Sequence, residues 1–85
     1  MHDVYILHST VTDRYYIGST KNVTRRLREH NAGKVKSTRS YRPYRVVYVE
    51  PMGKRTEALQ RERKIKRYKG GNAFHKLLQN SSGVV

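Results

Sequence analysis

The stretch Asn22-Val23-Thr24-Arg25-Arg26-Leu27-Arg28-Glu29-His30-Asn31-Ala32-Gly33 constrains the fold most, because residue chemistry sets both of its ends. Asn22 is an N-cap: its side-chain oxygen can take a backbone N–H that the first helical turn leaves unpaired. Gly33 is a stop, since helices commonly end on a residue with positive φ. One short helix therefore separates the segments on either side. At about 100° per residue, Val23, Leu27 and His30 fall on one stripe, with Arg26 at its edge. With Val23 and Leu27 facing the core, Arg26 and His30 are carried to a surface that is partly walled in. A cation and a titratable ring one turn apart suit a phosphate group.

Residues 3–9 and 14–19 are rich in β-branched and aromatic side chains, and Thr10-Val11-Thr12-Asp13 between them reads as a hairpin loop. If Ser9 pairs with Arg14, Leu7 lies opposite Tyr16 and Tyr5 opposite Gly18. Tyr5 and Tyr16 are then diagonal neighbours on one face, with Gly18 leaving space beside Tyr5. The other face carries Val4, Ile6, Tyr15 and Ile17, apolar enough to be covered too. Residues 34–42 read as a loop. Pro43 opens a third strand over Tyr44–Glu50, where its missing N–H is tolerated. A second helix is predicted from about Thr56, as N-cap, to about Lys69. Gly70-Gly71 breaks it, and Asn72 caps a third helix over Ala73–Gln79 that buries Phe74, Leu77 and Leu78. The order is strand, strand, helix, strand, helix, helix: an α+β chain with one domain over 1–80 and a disordered tail over 81–85.

Only 35% of the 85 residues are hydrophobic, so nearly all of them are needed in a modest core. Nineteen Lys and Arg against six Asp and Glu give +13, a surplus that points to a phosphate polyanion. No apolar run approaches a membrane span or a signal peptide, and there is neither a basic amphipathic helix with bulky exposed apolar residues nor a lipidation signal. A soluble protein of the cytoplasm or nucleoid, with nucleic acid and not membrane as its partner, is expected. With no cysteine, disulfides and thiolate zinc sites are excluded. Lys34, Lys36, Arg39, Arg42 and Arg45 read as phosphate contacts that position a duplex without reading its sequence. Tyr41 among them either stacks on a base or shields the loop.

On the second helix Ala58, Leu59 and Ile65 define the apolar stripe, and Glu62 sits in its middle. A carboxylate on a buried side costs several kcal/mol unless it is paired, hydrogen-bonded or bound to metal. The alternatives are a salt bridge to an arginine or a ligand of Mg²⁺, which one carboxylate, waters and a substrate phosphate can hold. Six acids are too few for an easy two-metal cluster. Glu62-Arg63-Lys64 matches an E-x-K signature in letters, but on a helix the two side chains point about 200° apart. His30 has its own alternative as a core histidine bonded to a carbonyl.

Val4-Tyr5-Ile6, Tyr16-Ile17-Gly18, Arg26 and His30 on one helix and Glu62 on a later one, in this order, resemble the GIY-YIG endonuclease domain over roughly residues 3–78. Tyr16-Ile17-Gly18 matches the second half of the name motif; in the first half, Asp3-Val4-Tyr5 stands where the family usually has Gly-Ile-Tyr. The resemblance implies a three-stranded antiparallel sheet flanked by helices. It also implies phosphodiester hydrolysis with one divalent ion, Mg²⁺ or Mn²⁺. Glu62 would bind the metal and Arg26 would stabilise charge on the phosphate. Tyr5, Tyr16 and His30 would position or deprotonate the attacking water, a tyrosine near the metal-bound water being favoured and His30 its helper. A small standalone member without a DNA-reading domain is expected to be structure-selective or weakly sequence-specific, acting on DNA in repair or recombination as a monomer or weak dimer. The alternatives are a non-catalytic nucleic-acid-binding module and a nuclease acting on RNA.

Overall fold

The computed structural model describes residues 2–79. The tail expected over 81–85 lies outside the described residues. Strands β1 (Asp3–Ser9) and β2 (Tyr15–Thr20) are followed by helix α1 (Val23–Asn31), a 3₁₀ turn over Arg39–Tyr41, strand β3 (Tyr44–Pro51) and helices α2 (Arg55–Lys66) and α3 (Asn72–Gln79). The sheet runs β2-β1-β3 with both pairings antiparallel. This is the expected α+β arrangement and element order.

The hairpin adopts the register that the alternation requires, with Leu7 opposite Tyr16 and Tyr5 opposite Gly18. Ser9 N–H donates to Arg14 O at 2.9 Å, and the Ser9 hydroxyl accepts from the N–H groups of Val11 and Thr12. Because β1 is central and its side chains alternate, it serves two cores. Val4 and Ile6 pack with Tyr48, Ala58, Ile65 and Phe74 beneath α2 and α3. Tyr5 and Leu7 pack with Tyr44, and with Tyr16, Val23 and Leu27 beneath α1. All four β1 residues are buried. The sheet is thus a filling between helices, and β2 forms one of its edges.

Helix α1 keeps both predicted ends. Asn22 Oδ1 accepts from Arg25 N–H at 3.0 Å. Gly33, at φ 80°, closes the other end as Gly33 N–H bonds His30 O and Lys34 N–H bonds Glu29 O, a Schellman closure that uses two orphan carbonyls. Helix α2 differs from expectation: its N-cap is Lys54, not Thr56. The Glu57 carboxylate reaches back to the Lys54 backbone N–H at 3.3 Å, which satisfies the first turn two residues earlier. It ends at Lys66 instead of near Lys69, because Lys69 (φ 50°) and Gly70 (φ 75°) turn left-handed. Asn72 lies inside α3 instead of capping it. Tyr15, placed by alternation on a covered face, is 39% exposed and leans edge-on against Phe74 at 5.0 Å. Among the described residues no helix is long and apolar enough to cross a membrane.

Candidate active site

An open cleft of about 840 Å³ lies where α1 and α2 approach the edge strand β2. The two-residue period of β2 lets that strand contribute to both sides of it. Tyr16 and Gly18 face Tyr5 under α1, while the intervening direction carries Ser19 to α2, where its hydroxyl donates to Glu62 Oε1 at 3.0 Å. Tyr5, Tyr16, Arg26 and Glu62 all line the cleft. So four of the five residues singled out as catalytic candidates meet at one concavity, although they come from four different elements.

Glu62 is 17% exposed and is the single acid on this wall among the described residues. Its other oxygen accepts from Lys66 Nζ at 2.7 Å, one turn on. The sequence alternative of an arginine partner is therefore replaced by a lysine and a serine. Arg26 is held in place by Glu29, with Nη1 donating to Oε1 at 2.9 Å. That carboxylate raises the Arg26 pKa above its ordinary value, so the guanidinium stays charged. No cluster of three or more His, Asp or Glu side chains among the described residues could enclose a metal ion. One oxygen donor facing a cationic cleft suits an ion that keeps most of its waters and completes its shell on phosphate, as Mg²⁺ does.

His30 departs from the expectation that it reaches a half-open surface. It is completely buried and does not line the cleft. The tyrosines of the sheet close over it: ring centroids lie 4.7 Å away for Tyr16, 6.2 Å for Tyr5 and 6.3 Å for Tyr44. Nor does it bond a carbonyl. Its Nε2 lies 3.1 Å from the Tyr5 hydroxyl and its Nδ1 2.8 Å from Thr38 Oγ1. Burial, aided by the nearby Arg26 charge, lowers the His30 pKa from 6.5 to about 4, so the ring is neutral at neutral pH. Burial also pushes the Tyr5 pKa up to about 12, with Tyr16 adding to the rise and Arg26 opposing it. Tyr5 therefore carries its proton at rest.

The residues expected to bind nucleic acid lie elsewhere. None of Lys34, Lys36, Arg39, Tyr41, Arg42 and Arg45 lines this cleft. Lys34 borders a smaller hollow beside α1, and Arg45 borders one at the hairpin loop. Tyr41 is half-buried, with the Arg14 guanidinium 4.4 Å above its ring. That face is already occupied, which favours shielding of the loop over stacking on a base. The cations that do line the cleft beside Arg26 are Lys21, Arg25 and Arg55. Sequence reasoning missed all three; the available signal was that Lys21 and Arg25 flank the helix start one turn apart on the side of Arg26.

The sequence model of the GIY-YIG catalytic domain matches residues 1–73. The chain belongs to the GIY-YIG family. It is 44% identical over 68 residues to a UPF0213 protein of Haloquadratum walsbyi, covering 79% of this chain and 75% of that one. To a UPF0213 protein of Syntrophus aciditrophicus it is 37% identical over 79 residues, covering 91% and 90%. The solution NMR structure of a UPF0213 protein from Bacillus halodurans matches with a TM-score of 0.60 at 31% identity, covering 96% of this chain and 86% of that one. GIY-YIG catalytic domains are nuclease domains, generally dependent on a divalent metal, and their substrate is nucleic acid. In this GIY-YIG chain the two name-motif segments are paired directly, Tyr5 against Gly18 across β1 and β2. A Cβ on Gly18 would stand 2.8 Å from the Tyr5 hydroxyl oxygen, so the glycine is what lets the phenol lie along the cleft wall.

Proposed function

We propose that residues 1–80 act as one divalent-metal-dependent endonuclease domain that hydrolyses phosphodiester bonds in DNA, with structure selectivity or weak sequence specificity, in repair or recombination. The observation that supports this most is the convergence of Glu62, Arg26, Tyr5 and Tyr16 on one cationic cleft. Arg26, aligned by Glu29, meets the scissile phosphate and stabilises the charge that grows on it during attack. Glu62 would hold the ion, Mg²⁺ or Mn²⁺, which when bound supplies Lewis-acid polarisation and a more acidic water.

The hydrogen bonds support one proton path. A phenol with a pKa of about 12 is not a standing base, but its oxygen can take a proton from water as its own passes to His30 Nε2, 3.1 Å away. His30, with a pKa near 4, holds that proton only in passing. Tyr16 packs against both rings and fixes their orientation. Lys21, Arg25 and Arg55 contact the phosphates on either side of the cleavage point.

The test is cleavage of supercoiled, nicked, flap and four-way DNA, and of a matched RNA duplex, with Mg²⁺ or Mn²⁺. Metal-dependent cutting of DNA is expected. Glu62→Gln should lower the rate roughly 10²-fold or more, the scale of losing a preorganised charge-stabilising group. Equal rates for the wild type and Glu62→Gln would refute the role of Glu62, and preferential cutting of RNA would refute the substrate.

A further inference from the structure

Thr38 takes no part in the proposed chemistry, yet it is only 2% exposed on a loop where its neighbours Ser37 and Arg39 are open to solvent. A hydroxyl that is buried must be hydrogen-bonded, or its desolvation is uncompensated. Thr38 Oγ1 has two neighbours: Val35 O at 3.3 Å and His30 Nδ1 at 2.8 Å. A carbonyl oxygen can only accept, so a hydroxyl hydrogen given to Val35 O sets the direction of the other bond. The bond to His30 must then run the other way, from Nδ1–H to Oγ1. In that arrangement Nε2 keeps a bare lone pair, and the Tyr5 hydroxyl, 3.1 Å away, donates to it.

The loop holds Thr38 there by contacts that do not involve His30. Thr38 N–H bonds Val35 O and its own carbonyl accepts from Tyr41 N–H, both at 3.2 Å. Asn31 clamps the far end of the loop, donating to Tyr44 O at 3.1 Å and accepting from Tyr44 N–H at 2.7 Å. The Ser9 hydroxyl donates to Tyr41 O at 2.6 Å.

We propose that Thr38 is a positioning residue which selects the Nδ1–H tautomer of His30 and so directs the Tyr5 hydroxyl toward Nε2. Its catalytic consequence rests on the nuclease reading above; the tautomer itself does not. A ring in the opposite tautomer would donate from Nε2 to the Tyr5 oxygen, and Tyr5 would have no place to pass its proton. Thr38 thus does for His30 what a buried acceptor does for the histidine of a nucleophilic triad, through a neutral hydroxyl.

The test joins a spectroscopic and a kinetic measurement. The ¹⁵N resonances of His30 in the wild type should show a protonated Nδ1 and an unprotonated Nε2. Thr38→Val, near in shape but without an acceptor, should invert that pattern or blend the two forms. The same variant should lower single-turnover DNA cleavage roughly 10²-fold with DNA affinity unchanged, the lower end of what proton transfer contributes. Thr38→Ser should keep the wild-type spectrum and most of the rate. A proton on Nε2 in the wild type overturns the proposal, whether or not Thr38→Val folds. So does a Thr38→Val protein with the wild-type spectrum, or with inverted tautomer and unchanged rate. Absence of cleavage by the wild type alongside the expected spectrum would refute the nuclease reading while leaving the tautomer assignment intact.

Discussion

Acid should destabilise this fold through His30, by an amount that the structure sets. The ring is wholly buried and its pKa falls from 6.5 to about 4 on folding. Above about pH 6.5 the ring is neutral in both folded and unfolded chains, so its titration contributes no slope. As pH falls below that, the unfolded chain takes up a proton that the folded chain refuses, and stability drops. The loss continues until pH reaches about 4, where the folded form protonates too. At about 1.4 kcal/mol for each pKa unit, the whole window amounts to about 3 kcal/mol. That is a large share of the roughly 5–15 kcal/mol that holds a small domain together.

The groups facing the ring are the phenols of Tyr5, Tyr16 and Tyr44, together with Arg26, which lowers its pKa, and Glu29, which raises it. Urea unfolding of the wild type and of His30→Gln at several values between about pH 7.5 and about pH 4 isolates the term. The wild type should lose about 3 kcal/mol more than the variant across this range. Parallel losses would mean that the imidazole is solvated or charged in the fold, and the neutral-acceptor role in the Tyr5 relay would fall with it.

Gly18→Ala places a methyl 2.8 Å from the Tyr5 oxygen, 2.9 Å from its Cζ and 3.0 Å from Tyr16 Cε2. Tyr5 is buried and tied to His30, so denaturant melts should show about 1–3 kcal/mol of destabilisation, with cleavage falling further than stability explains. Lys21→Gln combined with Arg55→Gln should weaken DNA binding and reduce the log–log salt slope by about 1–2, the expected share of two phosphate contacts; a salt titration showing an unchanged slope would remove both from the interface. Asn31→Ala breaks both bonds to Tyr44 and should cost about 1–3 kcal/mol in urea, with the wild-type stability as reference.

Local chemistry alone fixed the parts of this protein whose partners are near in sequence. The Asn22 cap, the Gly33 stop and the Tyr5–Gly18 register depend on hydrogen bonds or alternation within a few residues. Glu62 could be placed on the buried side of its helix because its own turns supply the apolar stripe. Helical periodicity gives only an angle, however, and what covers that angle is decided elsewhere. His30 shares the stripe of Val23 and Leu27, but it is interior because phenols from three strands and a threonine eight residues on close around it. Charge was equally ambiguous: with nineteen cations spread along 85 residues, composition names a polyanion and no interface. Lys21, Arg25 and Arg55 stand apart from the rest only once α1 and α2 meet at the edge of β2. Which charges share a cleft is a property of long-range packing, and no spacing within the chain encodes it.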